Sequence, residues 1–239
     1  MAEFKKVSDH VWIYPPDKNT FRPVVGAVMT PTQTVLIDAG NCHNHAREVI
    51  SALGRINAPP ISHLIYTHHH WDHIFGGQIY NVPVVAHMVC EFRVIEYAKN
   101  PWSHEHVERV IRDIPALKPS FSALRDLMRD DWHNFKIVFP SIIIRKKADF
   151  FPLDGVNLLI EHIGGNHADD STLVTVVEDN VMFMADCFYP PPAHIAKPDD
   201  KPNVGMVRKL LERNHTIYID GHGGAFSAGF WKTWADMQG

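Results

Sequence analysis

Four histidines and one aspartate fall within six residues, His68-His69-His70-Trp71-Asp72-His73. Imidazole nitrogen and carboxylate oxygen are ligands that zinc favours, and a catalytic zinc site leaves one position open for water. Histidine is also abundant overall, 17 of 239 residues, and it is the commonest metal ligand and a frequent acid–base group. The run follows an apolar segment, His63–Tyr66, and precedes Ile74-Phe-Gly-Gly77. It therefore lies inside a folded region, which weighs against a chance surface patch. Alternate residues of a strand share one side, so His68 and His70 can converge at a strand end. Asp72 and His73 then fall in the following turn and can face a second centre. His69 alternates away, toward the fold or a supporting contact.

The elements that must position this cluster are read from hydrophobic period and turn residues. Short β-branched or aromatic runs predict strands at Val11–Tyr14, Val24–Met29, Thr34–Ile37, His63–Tyr66 and Val82–Ala86. Val49, Ile50, Leu53 and Ile56 predict a helix over Asn44–Ile56, ended by Pro59-Pro60. From Met88 to Phe135 the chain is charged, with apolar residues at helical spacing in three blocks. This segment, 88–135, reads as a helical insertion within a single domain, 1–239. Two roles stay open for it: a lid that offers Phe92, Trp102, Phe121, Met128 and Trp132 to a cleft, or a layer packed on the sheet. Strands return at Ile142–Arg145, Val156–Ile163, Thr172–Glu178, Val181–Ala185 and Thr216–Ile219. Helices are expected at Val204–Arg213 and Ala225–Met237. A loop with five prolines, from Tyr189 to Pro202, is stiffened by their fixed φ angles.

Composition excludes other classes. With 45% hydrophobic residues the chain is not disordered, and no run of about 18 apolar residues marks a membrane span. A net charge of −4 gives no basic footprint for nucleic acid. Three widely spaced cysteines, Cys42, Cys90 and Cys187, form no CxxC pair and suit a reducing compartment. The first ten residues lack the apolar core of a signal peptide, so the expected location is cytoplasmic.

His68-x-His70-x-Asp72-His73 resembles the HxHxDH signature of the metallo-β-lactamase-fold superfamily. Gly164-Gly-Asn-His167, Phe183-Met-Ala-Asp186 and Asp220-Gly-His222-Gly resemble the later histidine, aspartate and histidine motifs, in order. Ile37-Asp38-Ala-Gly40 is similar to the early strand-end motif. The resemblance runs from about Val11 to His222. It implies an α/β fold, an αββα sandwich of two mixed sheets flanked by helices. It also implies a first metal held by His68, His70 and His167. A second would be held by Asp72, His73 and His222, with Asp186 shared. Zinc is the expected ion, two per chain, with iron or manganese as alternatives. A hydroxide clamped between such ions attacks a carbonyl at neutral pH. Asp72 would orient it or pass a proton to the leaving group. Asp38 reads as a loop-organising acceptor, Cys187 as a small buried hydrophobe, and His63 as structural. His194, in the proline loop after Asp186, is a candidate substrate contact.

Departures from subfamilies narrow the choice. His70 stands where flavodiiron relatives carry Glu, and only 17 residues follow His222, too few for the helical region of glyoxalase II. The tRNA-processing relatives need basic surface. The commonest secreted zinc β-lactamases carry Cys at the position of Asp186. Yet Gly165-Asn-His167-Ala-Asp-Asp170-Ser171 resembles their G-x-H-x-x-D pattern. Asp186-Cys-Phe-Tyr189 is similar to the quorum-quenching N-acyl homoserine lactonases, in which the phenol assists the carbonyl oxygen or leaving alkoxide. Asp72 and Tyr189 are therefore the catalytic candidates. The first expectation is a hydrolase of an ester or lactone. A β-lactam or other cyclic amide hydrolase comes second, and an iron-dependent oxidoreductase or a non-catalytic binding module follows. The partner expected is a small-molecule substrate, with no nucleic acid and no membrane, and a homodimer is allowed.

Overall fold

In the computed structural model, which describes residues 2–238, two β-sheets lie face to face between helical layers. The first sheet holds β1 (Lys5–Lys6), β2 (Val11–Tyr14), β3 (Val25–Met29), β4 (Thr34–Ile37), β5 (Ile61–Ile65), β6 (Val84–His87) and β7 (Ile142–Ile144), in chain order. β1 to β4 pair antiparallel and β4 to β7 parallel. The second sheet runs β13 (Gly224–Ser227), β12 (Ile217–Asp220), β11 (Val181–Ala185), β10 (Thr172–Val176), β9 (Val156–His162) and β8 (Ala148–Leu153). Only β11 and β12 pair parallel there.

Near-continuous apolar strands specify both faces of each sheet. Val35 and Ile37 of β4 enter the core between the sheets, and Leu36 enters the outer layer. In β11, Val181 and Phe183 face inward, while Met182 and Met184 face outward. The outer face of the first sheet is covered by α1 (His43–Arg55) through Ala46, Val49 and Leu53. That of the second is covered by α7 (Val204–Leu211) and α8 (Ala228–Gln238) through Val207, Leu210 and Trp231. No helix among the described residues is long and apolar enough to cross a membrane.

Besides β1 and α3 (Gly77–Tyr80), which the reading of the sequence does not include, three elements differ from it. The closing segment starts as strand β13, paired antiparallel with β12, and α8 begins only at Ala228. Alanine and phenylalanine suit either state over so short a run, and the tertiary pairing decides it. β8 has no counterpart among the expected strands, and it holds Asp149 and Pro152, two residues that strands disfavour. Both are tolerated on an edge strand, and β8 pairs on one side only. Residues 66–70 are not a continuation of β5, which ends at Ile65; His68 and His70 lie in the loop that leads to α2 (Trp71–Ile74).

The segment 88–135 forms α4 (Met88–Tyr97), α5 (His104–Asp113), α6 (Lys118–Met128) and two 3-10 turns. Phe121, Met128 and Trp132 are buried in the outer core, and Trp102 packs against it. Trp102 meets Phe75, just beyond the histidine loop, at a ring distance of 5.0 Å. Of the five side chains proposed for a lid, only Phe92 is open to solvent, 56% exposed.

His45 on α1 is buried, and its Nδ1 accepts from the Asn41 N–H at 3.3 Å. Burial, helped by Arg22, pushes it down from 6.5 to about 3. Between these values the unfolded chain binds a proton there and the folded chain does not, so stability falls as pH drops. From pH 6.5 to 5 this group alone should remove about 2 kcal/mol. His45→Gln should flatten that part of the slope in urea midpoints measured from pH 7 to 5. An unchanged slope would assign the acid sensitivity to other groups.

Candidate metal centre

The carboxyl ends of the parallel strands meet at one edge of the sandwich, the place where open α/β sheets offer their sites. Three backbone bonds fix this edge: Val24 N–H to Gly221 O at 2.7 Å, Asp38 N–H to Ile65 O at 2.8 Å and Thr172 N–H to Thr67 O at 2.9 Å. The loop after β5 brings His68 and His70, and α2 brings Asp72 and His73. The loop after β9 brings His167, the end of β11 brings Asp186, and the turn after β12 brings His222. A register shift between Phe183 and Ala185, with Ala185 at φ 50, turns the chain just before Asp186.

All seven residues singled out in the sequence converge. His68, His70 and His167 form one group whose ligand atoms all lie within 4.8 Å of one another; Asp72, His73 and His222 form another; His68, His73 and Asp186 link them. Asp186 Oδ2 stands 3.4 Å from His167 Nε2, 3.9 Å from His68 Nε2, 3.6 Å from His73 Nε2 and 3.3 Å from His222 Nε2. It faces members of both groups. Asp72 Oδ2 lies 3.2 Å from His222 Nε2 and 3.5 Å from His73 Nε2.

The outward ring nitrogens have protein partners, which aim the Nε2 atoms inward. His73 Nδ1 meets Asp38 Oδ2 at 2.8 Å, His167 Nδ1 meets the Pro190 carbonyl at 2.8 Å, and His68 Nδ1 meets Thr67 Oγ1 at 3.1 Å. Such supporting contacts orient metal-binding histidines. Asp38 also accepts from the Thr67 N–H at 2.9 Å and from its hydroxyl, so it organises the loop. His68 Nε2 and Asp186 Oδ1 are buried and make no hydrogen bond. Buried polar atoms are rarely left so without a reason.

The charges agree. Burial and neighbouring histidines hold His68 and His70 well below the ordinary imidazole range, in the neutral state that a ligand needs. Burial opposes ionisation of Asp72 and Asp186, yet the His73 and His222 charges outweigh it. Asp72 falls to about 2 and Asp186 lies well below its usual range. In return these carboxylates, against the effect of burial, push His73 up and His222 to about 10. Two buried carboxylates thus demand cationic charge at this point. The His/Asp cluster fits a metal site.

Residues 21–222 match the family model described as the metallo-beta-lactamase superfamily. The chain belongs to that superfamily. Metallo-beta-lactamase superfamily members are mostly metal-dependent hydrolases. Among solved structures, this superfamily chain resembles the stereoselective inverting sec-alkylsulfatase of Pseudomonas sp., with a TM-score of 0.73 and 16% identity. The match covers all of this chain but spans about 41% of the sulfatase's length. The metallo-beta-lactamase from Pontibacter korlensis gives a TM-score of 0.65 at 17% identity, covering 99% of this chain and 98% of that one. The metallo-beta-lactamase from Hirschia baltica gives 0.64 at 18%, covering 99% and 97%. At these identities the likeness is one of fold. No curated protein matches the chain.

Tyr189 lies beside the cluster, its ring 5.8 Å from that of His167 and 6.0 Å from that of His222. Its hydroxyl does not face an open space: it donates to Asp220 Oδ1, which also accepts the His222 N–H at 2.9 Å. Burial and Asp220 push the phenol up. The expected carbonyl donor is therefore engaged with the protein, in a place that supports the His222 turn. His194 is exposed in the proline loop, and Cys187 is buried with Phe188 in the outer core. Sequence reasoning left Thr67, Pro190 and Asp220 without roles. Their parts are played by a hydroxyl, a carbonyl and a carboxylate, which carry no spacing signal of their own.

Proposed function

We propose that this protein is a two-zinc hydrolase of neutral esters or lactones. The observation that carries the reading is the place of Asp186, whose one oxygen faces histidines of both ligand groups. His68, His70 and His167 would hold one ion, Asp72, His73 and His222 the other, and Asp186 both. When bound, such ions supply a nucleophile at neutral pH and an electrophile for the carbonyl. Asp72, 13% exposed at its side chain, is the carboxylate assigned to orient the nucleophile or pass a proton to the leaving group.

The ligands and their direct hydrogen-bond partners include no lysine or arginine: Asp38, Thr67, Pro190 and Asp220 complete them. Beyond the ions themselves, an anionic substrate would find no cationic side chain among these partners, which favours a neutral carbonyl compound. A β-lactam is the second reading, supported by the Gly165–Ser171 pattern. The test is a panel of lactones, esters, thioesters, β-lactams and secondary alkyl sulfates, given to zinc-loaded protein. Turnover of a lactone or ester is expected; turnover of β-lactams or sulfates alone, or of none, overturns the proposal.

Tyr189→Phe refines it. A phenol acting through Asp220 should cost about tenfold, the low end for a partner behind a metal ligand, with zinc content kept. A phenol that donates to the developing oxyanion should cost roughly 10²–10³ in kcat with little change in KM. Steady-state kinetics on the best substrate separates the two, and the first result is expected.

A further inference from the structure

We infer that Asp170 is a positioning residue that ties the three histidines of one ligand group together through His69. The inference rests on the metal reading above. Asp170 is fully buried and lies three residues after His167. Its Oδ2 accepts the His69 backbone N–H at 2.9 Å, and its Oδ1 meets His69 Nδ1 at 2.9 Å. His69 is the residue between His68 and His70. One carboxylate thus holds both the backbone and the ring of the residue whose neighbours on either side are ligands. It does so from the loop that carries the third ligand. The rings of His68 and His70 lie 4.7 Å apart, and those of His70 and His167 also 4.7 Å apart. This spacing depends on how two separate segments are docked, and the His69–Asp170 pair lies at the join.

Helix α4 closes the arrangement from outside. The Tyr97 ring meets the His69 ring edge-on at 5.4 Å and 81°. Arg93 pairs with Asp169, the residue before Asp170. The start of the 88–135 segment therefore braces the histidine loops. A purely structural role for the pair would show in the stability of the metal-free protein and leave zinc affinity alone. A positioning role must show in zinc affinity.

The test titrates full-length metal-free protein with zinc against a chromophoric chelator, for wild type, D170N, H69Q and the double variant. Each single change should weaken one of the two zinc sites by roughly 10–100-fold, the range for a residue behind a metal ligand, and leave the other unchanged. The double variant should bind no worse than the weaker single, because both changes cut the same tie. Urea unfolding of the metal-free proteins is measured alongside. Variants that lose metal-free stability but keep wild-type zinc affinity overturn the inference, as do losses that simply add. If D170N does not fold, H69Q decides alone, since the His69 side chain is partly exposed and its change is the milder. A wild-type protein without zinc affinity overturns the metal reading itself, an outcome distinct from wild type and variants binding alike.

Discussion

Asp186→Ala should lose more activity than any other single change, well beyond the roughly 10–100-fold that follows loss of a partner behind a ligand. Its zinc content should fall below that of wild type. Of the two carboxylates among the seven, only Asp186 has one oxygen within 4 Å of histidines from both groups. Without it, His68 and His167 lose the carboxylate they face, and only Asp72 remains beside His73 and His222. The fold should survive, because Asp186 belongs to neither apolar core, its Oδ1 makes no hydrogen bond, and the histidines it faces can give up their protons. Asp186→Asn keeps the shape and a neutral oxygen and should lie between wild type and Ala. Elemental analysis beside kcat/KM checks this. Wild-type zinc content in the Ala variant would displace Asp186 from its place between the groups.

Chelation should lower the melting temperature more than any surface change could. A ligand present at 1,000 times its Kd stabilises the folded state by about 4.1 kcal/mol. For a chain of this size each kcal/mol shifts the midpoint by roughly 2–4 °C, so one ion is worth on the order of 8–16 °C. The effect should shrink in acid, because protons compete for the same imidazoles and carboxylates. Thermal scans with and without excess chelator, at pH 7.5 and 5.5, measure it. A midpoint insensitive to both chelator and added zinc would show that the folded state holds no tightly bound ion.

The seven clustered residues were readable in the sequence because metal chemistry restricts residue type and the HxHxDH run restricts spacing. The sandwich followed from the order of strands and from their two apolar faces, as β4 and β11 illustrate. What stayed hidden depends on contacts across the chain. Whether Trp102 and Phe121 line a cleft or fill a core depends on Phe75, which helical period does not contain. Tyr189 looked like a donor by its distance from Asp186 in sequence. Its proton goes instead to Asp220, 31 residues further on, which only the folded arrangement reveals. β8 and β13 are edge elements whose residues carry weak propensity, and pairing with β9 and β12 decides their state.

Every strand of the first sheet precedes residue 145, and every strand of the second follows 147. The junction, Arg145-Lys146-Lys147, is exposed and basic, as a trypsin cut requires. His68, His70, Asp72 and His73 belong to the piece before it; His167, Asp186 and His222 belong to the piece after. Neither piece contains a complete ligand group. A chain nicked at this junction would become two halves held by their apolar faces and by the Val24–Gly221 and Thr172–Thr67 bonds, to which an ion ligated from both halves would add a tie that a chelator could cut.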